Sequence, residues 1–480
     1  MSRVDLVGRM TEQDVLEESR QSDEPELVAV YGRRRVGKTF LIRQFFGSSI
    51  VFELVGTHDV DLRQQLRGFG SALATASGAP APLAPPADWR EAFDQLASWL
   101  EPRLRRARAK QVVFLDEVPW LASRRSGFLS AFEHFWNGWA SRQPRLIVVI
   151  CGSAASWMIR KIVLQRGGLH NRVTRSIRLT PFTLKETEAY LKSRGAQFDR
   201  YSILELYMAF GGIPHYLRQI RPTESATQNI DRVCFAQDGL LRHEFEHLYV
   251  SLFEKAERHE QVVRLLATKR SGLTRQEIVG GTSLGSGGGM TKVLAELVES
   301  GFVARVPHLG RPVKDASYRL VDEYSLFYLT WIERQAAGAW AKKRGRPKWY
   351  AWAGLAFESL CLGHVRGIKR ALGIEGVDTT EAGWYHRPVD DEDEGAQIDL
   401  VIDRADRTTN LCEMKFVEDD YVIDARYARD LERKRRVYRR ITSTRKTVLV
   451  TLVTTFGLKS NEHARRLGVD VVTMDALFDV

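Results

Sequence analysis

Gly32-Arg33-Arg34-Arg35-Val36-Gly37-Lys38-Thr39 decides how the chain is read. Two glycines flanking four residues, followed at once by Lys-Thr, form the phosphate-binding loop pattern. Leu27-Val28-Ala29-Val30-Tyr31 precedes it as an apolar run that predicts a buried strand, and Phe40 to Phe46 follows with helical character. Strand, glycine loop and helix N-terminus together make a concave anion site of backbone N–H groups. Gly32 and Gly37 permit an approach that a Cβ would obstruct. Gly32 to Thr39, together with Phe40, are therefore the expected contacts of a nucleoside triphosphate. Lys38 is expected on the β- and γ-phosphates and the Thr39 hydroxyl on Mg²⁺.

Gln111 to Glu117 (QVVFLDE) is the second landmark: an apolar strand ending in two acids. Downstream of a phosphate loop this is a Walker B pattern. Asp116 would bind Mg²⁺, directly or through water, and Glu117 would orient or deprotonate the attacking water. Leu146 to Cys151 (LIVVIC) reads as a further strand ending in Gly152-Ser153. Ser153 is placed either as a polar sensor of the γ-phosphate or as a plain strand-to-helix turn. Arg172, after His170-Asn171, is a cation for the phosphates, in cis or across a subunit boundary, or else a surface or DNA-facing charge. Between the landmarks, residues 50–57 read as a strand, 61–77 and 89–110 as helices, and Ala79 to Ala87 as a proline-rich loop.

The chain has 480 residues, which implies two to four domains. Hydrophobic content of 44% and charged content of 27% fit a water-soluble protein. No apolar run reaches the ~18 residues of a membrane span, and MSRVDLVGRMTEQ lacks a signal-peptide core, so a cytoplasmic location is expected. Cys151, Cys234, Cys361 and Cys412 are far apart and offer neither a metal pair nor a disulfide framework. A net charge of +11 and a pI near 9.5 favour a polyanionic partner, with DNA the expectation.

Residues 183–250 read as helical, broken at Gly211-Gly212-Ile213-Pro214. His243-Glu244-Phe245-Glu246-His247 matches H-E-x-x-H, but no third ligand follows, and two histidines on a charged helix face is the preferred reading. Residues 258–322 read helix, helix, helix, strand, strand, which is the order of a winged helix. Its third helix either enters a major groove or packs against the ATPase. Lys343-Arg344-Gly345-Arg346-Pro347-Lys348 matches an AT-hook core, in which Arg344 and Arg346 lie along an A·T-rich minor groove; a plain solvated linker is the alternative. In the last domain Gly354 to Val365 reads as a helix carrying Glu358. Asp399 stands near the start of a strand, and Glu413 and Lys415 share one face of the next. Two carboxylates and a lysine so arranged can hold Mg²⁺ or Mn²⁺ and activate water against a phosphodiester, or form a structural salt-bridged strand pair. Helix 424–440 with Arg429, Arg433, Lys434, Arg435, Arg436, Arg439 and Arg440 could grip a phosphate backbone.

Taken together, the chain resembles the archaeal-type ATPase family, a branch of the signal-transduction P-loop ATPases related to AAA+ proteins. The resemblance rests on Gly8-Arg9, GRRRVGKT at 32–39, FLDE at 114–117, CGS at 151–153 and PF at 181–182, with Gly212-Ile213-Pro214 resembling that group's G-x-P module. The C-terminal part is similar to the PD-(D/E)xK nuclease-like domain. This implies that Asp399, Glu413 and Lys415 are its motif residues and that Glu358 is its helical acid, although Ile398 stands where that motif has proline. The expected architecture is α/β: a P-loop ATPase core with a parallel sheet (1–182), a helical lid (183–256), a winged helix (257–335), a basic linker (336–349) and a restriction-endonuclease-like α/β domain (350–480). The expected cofactors are ATP and Mg²⁺, with Mn²⁺ possible at the second site, and a homo-oligomer is possible. Two functions fit. One is an ATP-hydrolysing protein acting on DNA, its nucleotide state coupled to a metal-dependent nuclease-like domain. The other is an ATP-dependent regulatory switch whose C-terminal domain is catalytically silent and binds DNA or protein.

Overall fold

The structure is a computed structural model describing residues 6–79, 84–123, 125–153, 155–163, 172–269, 271–309, 316–333, 340–388, 390 and 393–479. Residues 80–83 of the proline-rich segment, His170-Asn171, residues 310–315 and the start of the basic linker (336–339) lie outside the described residues. The chain divides into two units, Met1–Pro181 and Phe182–Val480.

In the first unit the elements run α1 Met10–Gln21, β1 Glu26–Tyr31, α2 Lys38–Phe46, β2 Ile50–Val55, α3 Leu62–Ser77, α4 Trp89–Arg106, β3 Gln111–Asp116, α5 Phe128–Gly138, β4 Leu146–Gly152 and β5 Arg175–Arg178. The five strands form one parallel sheet in the order β2-β3-β4-β1-β5. All seven residues of β4 are buried, as are five of six in β1 and in β3. Strands covered on both faces are expected to read as unbroken apolar runs, which is why these three are visible in the sequence. Helix α3 starts at a reciprocal capping box between Asp61 and Gln64. An aromatic seam joins α4 to α5, with Trp89 against Phe128 at 4.9 Å and Phe93 against Phe135 at 5.0 Å.

The second unit opens with α6 Leu184–Ser193 and α7 Arg200–Phe210. Gly212 follows, and a Cβ there would stand 1.9 Å from the carbonyl oxygen of Phe182, so only glycine fits this contact. Then come α8 Ala256–Thr268, β6 Leu273–Thr274, α9 Arg275–Gly281, α10 Gly288–Glu299, β7 Val303–Val306 and β8 Ser317–Leu320, with a three-stranded sheet in the order β6-β8-β7. The last elements are α11 Pro347–Gly363, β9 Thr379–His386, β10 Ala396–Arg404, β11 Thr408–Lys415, α12 Ala425–Thr442, β12 Thr447–Thr454 and β13 Asp470–Thr473. Their sheet has the order β13-β12-β11-β10-β9, antiparallel through β9, β10 and β11 and parallel from β11 to β13. Among the described residues no helix is long and apolar enough to cross a membrane.

The described end of the basic linker differs from the expectation. Trp340 is 2% exposed and packs against Phe327 at 4.9 Å, Trp331 at 5.5 Å and Trp352 at 5.9 Å. Residues 341–345 then turn into α11, whose first residue is Pro347. Proline at this position suits a helix start, because its missing N–H has no partner there in any case.

His364 joins α11 to α6. Its Nδ1 lies 2.9 Å from the Leu360 carbonyl, and Nε2 accepts the Leu184 N–H at 3.3 Å, which requires the neutral ring. Burial pushes its pKa below the ordinary histidine value. The unfolded chain therefore binds this proton more readily than the native state, so stability rises with pH across this titration and falls as pH drops below about 6.5. The unfolding temperature is expected to fall between pH 7.5 and 5.5. For this one proton the limit is ~1.4 kcal/mol per pH unit, and His364→Gln should flatten that part of the profile in a thermal-melt series.

Candidate functional site

The strand order decides where the first site lies. β4 sits between β1 and β3, so the segments leaving the C-terminal ends of these three strands are neighbours. The phosphate loop leaves β1, Ser153 follows β4, and Asp116-Glu117 ends β3. Gly32 packs against the backbone after β5: a Cβ there would meet the Leu179 carbonyl oxygen at 2.1 Å. Thr39 Oγ1 donates to Asp116 Oδ2 at 2.6 Å. Lys38 is buried, and its Nζ donates to the Gly32 carbonyl at 3.0 Å, the Arg33 carbonyl at 2.9 Å and Ser153 Oγ at 3.1 Å. Glu117 accepts from Ser153 N at 3.1 Å and Ser153 Oγ at 2.5 Å. Ser153 thus links the loop lysine to the acid.

Glu117 holds φ 50° and ψ 46°, a left-handed conformation that is uncommon for a residue with a Cβ. Arg35 also has positive φ, at 71°. Arg33 is buried, Val36 is buried, Arg34 and Phe40 are exposed, and Gly37 is the N-cap of α2. A neutral hydroxyl beside a carboxylate is a donor set that suits Mg²⁺, and Thr39 with Asp116 provides it. Arg9 is an addition to the site. It is 5% exposed, and its Nη2 donates to the Val36 carbonyl at 3.3 Å. The Gly8-Arg9 pair was the only sequence signal for it.

Arg172 requires correction as a cis partner. β5 runs parallel to β1 with Val28 opposite Arg175 and Tyr31 opposite Arg178, and Thr174 N donates to the Leu27 carbonyl. Arg172 therefore precedes the end of the sheet opposite Gly32, seven positions before the residue level with Gly32, or about 23 Å for extended chain at ~3.3 Å per residue. An exposed arginine there does not reach the phosphate loop of its own chain.

Residues 6–220 match the model of an ATPase domain predominantly from Archaea. That stretch holds every first-unit residue described above. An uncharacterized protein of Methanocaldococcus jannaschii is 22% identical over 404 residues, which cover 82% of this chain and 84% of that protein. Among solved structures, the Walker-type ATPase of Pyrococcus abyssi aligns with a TM-score of 0.47 at 20% identity, over 68% of this chain and 97% of its own. The Aeropyrum pernix ORC2 protein, solved in ADPNP–ADP complexes, aligns with a TM-score of 0.44 at 17% identity, over 68% and 94%.

The second site lies in the last sheet. Leu400 pairs with Cys412, so Asp399 and Glu413 each directly adjoin the paired segment, close enough for the Asp399 charge to act on Glu413. Asp399 Oδ2 accepts the Met414 N–H at 3.0 Å. Glu413 is buried, and its oxygens are held by protein cations: Lys434 Nζ from α12 at 2.7 Å and Lys415 Nζ at 3.9 Å. The Tyr427 hydroxyl lies 3.4 Å from Glu413 Oε2, and Lys415 Nζ sits 4.7 Å from that tyrosine's ring centroid. Burial and the charge of Asp399 push the Glu413 pKa up to about 7, against the lowering effect of Lys434 and Lys415. Glu358 points to a different partner. Arg319 Nη2 of β8 lies 3.0 Å from its carboxylate and also donates to Ser359 Oγ at 3.1 Å. Among the described residues no group of three or more His, Cys, Asp or Glu side chains is placed to hold a metal ion. As arranged, Asp399, Glu413 and Glu358 do not form the expected three-acid site.

Two further sequence signals are explained by packing. In H-E-x-x-H, Glu244 is buried and accepts from the Tyr216 hydroxyl at 3.0 Å, while His243 and His247 are exposed, so the glutamate is a packing acid. The AT-hook reading is overturned at Arg344. Its Nε donates to Glu205 Oε1 at 2.8 Å, and its guanidinium lies 5.2 Å from the Trp349 ring centroid. Arg346 Nε donates to the Lys342 carbonyl at 2.8 Å. A minor-groove hook needs an extended backbone, and here the backbone is folded into turns.

Glu205 is 8% exposed at its side chain, and burial raises its pKa against the lowering effect of Arg344. Removing Arg344 leaves a carboxylate buried without its cation. Arg344→Gln should cost about 1–3 kcal/mol in chemical denaturation, with part recovered in the Glu205→Gln/Arg344→Gln double variant. Its affinity for A·T-rich duplex should equal that of the wild type.

Proposed function

We propose that this chain binds and hydrolyses ATP in its first unit and acts on DNA through its second. The observation that carries the first half is the closed set of contacts Lys38–Ser153–Glu117 beside Thr39–Asp116. Lys38 supplies the ammonium for the β- and γ-phosphates, and the backbone N–H groups of the loop cradle them. Thr39 and Asp116 would hold Mg²⁺, which supplies charge neutralisation on the phosphate oxygens when bound. Glu117 positions the attacking water and takes its proton, and Ser153 keeps the carboxylate aimed. Glu117→Gln should abolish steady-state release of inorganic phosphate while retaining nucleotide binding. Lys38→Ala should lose both. Wild-type turnover in each purified variant would rule this site out.

For the second unit, residues 257–335 support a winged-helix reading through their element order, and residues 350–480 support a nuclease-like one through Asp399, Glu413 and Lys415. We favour the catalytically silent version of that domain, in which it binds DNA and the nucleotide state of the first unit alters its affinity. The specific observation is that Lys434 holds Glu413 and Arg319 holds Glu358. Incubation of the full chain with single-stranded, duplex and branched DNA in Mg²⁺ or Mn²⁺, with and without ATP, is expected to leave the DNA intact. Cleavage that disappears in Glu413→Ala would replace this reading with the active nuclease.

A further inference from the structure

Helix α12 carries Arg426, Arg429, Arg433, Arg436 and Arg440. At ~100° per residue these five fall within an arc of about 80°, a single stripe along the helix. The stripe spans about 21 Å at ~1.5 Å rise per residue. Asp393 and Glu394, the last two of five consecutive acids in the sequence at 390–394, lead into β10 and face the C-terminal half of the stripe. Of these, Glu394 Oε2 meets Arg436 Nη2 at 2.6 Å, and Asp393 Oδ1 accepts from Arg440 Nη2. Arg433 donates to the Gly395 carbonyl and to Asp430. The other oxygen of Asp393 lies 2.6 Å from His386 Nε2 on β9, which fixes the acid to the sheet. Among the described residues no acid of this run covers the N-terminal half of the stripe. Arg426 and Arg429 are exposed and, with Asp424, Tyr427, Asp430 and Arg433, line an open groove of about 520 Å³.

We infer that this face of α12 binds the sugar–phosphate backbone of DNA, and that Asp393 and Glu394 are built-in competitors occupying two phosphate positions. The inference rests on the DNA half of the proposed function and supplies its contact surface. A stripe of ~21 Å matches about six phosphates of one strand at ~3.4 Å each. Guanidinium forks recognise phosphate and carboxylate in the same bidentate geometry, so the carboxylates seated on Arg436 and Arg440 mark where phosphates fit. DNA must displace them, which lowers affinity and leaves Arg426 and Arg429 as the first contacts.

The test is fluorescence anisotropy of the full chain with a mixed-sequence duplex of about 25 base pairs, in EDTA and without nucleotide, over a range of salt. Asp393→Asn/Glu394→Gln should bind roughly tenfold tighter than the wild type. Arg436→Gln/Arg440→Gln should bind more weakly, with the slope of log K against log salt reduced by about 2. Combining all four substitutions should remove the gain from neutralising the acids. Equal affinity of wild type and Asp393→Asn/Glu394→Gln, with wild type binding DNA, overturns the competitor while the proposed function stands. Absence of DNA binding in all variants overturns both. Binding of poly-glutamate as tight as that of DNA would assign the face to an acidic protein instead. Wild-type melting temperatures and ATP turnover in each variant confirm that folding is intact.

Discussion

The pairing of β4 between β1 and β3 is the constraint on which the first unit depends. Three parallel strands, buried on nearly every residue, bring three separate stretches of sequence to one edge. Without that order Ser153 could not reach both Lys38 and Glu117, which are 115 and 36 residues away along the chain. Glu117 turns back into a left-handed conformation at the end of β3, and a short helix, Val118–Leu121, starts directly after it with Pro119 in its first turn. A residue held in a sparsely populated conformation needs surrounding contacts to keep it there, and the two hydrogen bonds from Ser153 supply them.

Most of this unit was legible in the sequence because its signals are local. The apolar runs of β1, β3 and β4, the loop glycines and the terminal acids of β3 all follow from neighbours in sequence. In the second unit the same kind of signal marks β10, β11, β12 and α12, but it does not give the partners of their charged side chains. Lys434 belongs to a basic helix and was read as a phosphate contact, yet it turns inward to Glu413, 21 residues earlier. Arg344 sits in a hook-like motif, yet it pairs with Glu205, 139 residues earlier. Periodicity tells which side chains share a helix face but not what that face meets. Strand β9 was missed for a related reason: Thr379–His386 mixes buried and half-exposed positions without a clean alternation of apolar and polar residues.

The net charge of +11 favoured a polyanionic partner, and the structure narrows where such a partner can be met. Some of the positive charge is neutralised within the chain, by Glu413, Glu358 and Glu205 at buried or half-buried positions and by Asp393 and Glu394 at the surface of α12. Ion pairs at the surface contribute little to stability, typically under ~1 kcal/mol, so their presence on α12 does little to explain how that helix folds. Its docking against the sheet is explained by Ala428, Leu431, Val437 and Tyr438, which are buried. The arginine stripe is therefore available for a task other than folding.

The two lysines at the two sites make the functional contrast concrete. Lys38 is held by two backbone carbonyls and a hydroxyl, none of which carries a formal charge. A phosphate oxygen that replaced one of them would add a full ionic attraction, so the contacts around Lys38 give way readily to a triphosphate. Lys434 is already in an ion pair with a buried carboxylate. A divalent cation at Glu413 would have to displace that ammonium, leaving the half-buried Lys434 with the longer contact to Asp430 at 3.8 Å. The same residue type thus leaves the first site receptive to its ligand and the second neutralised by its own chain. That difference is the physical reason for proposing phosphate chemistry in the first unit rather than in the second.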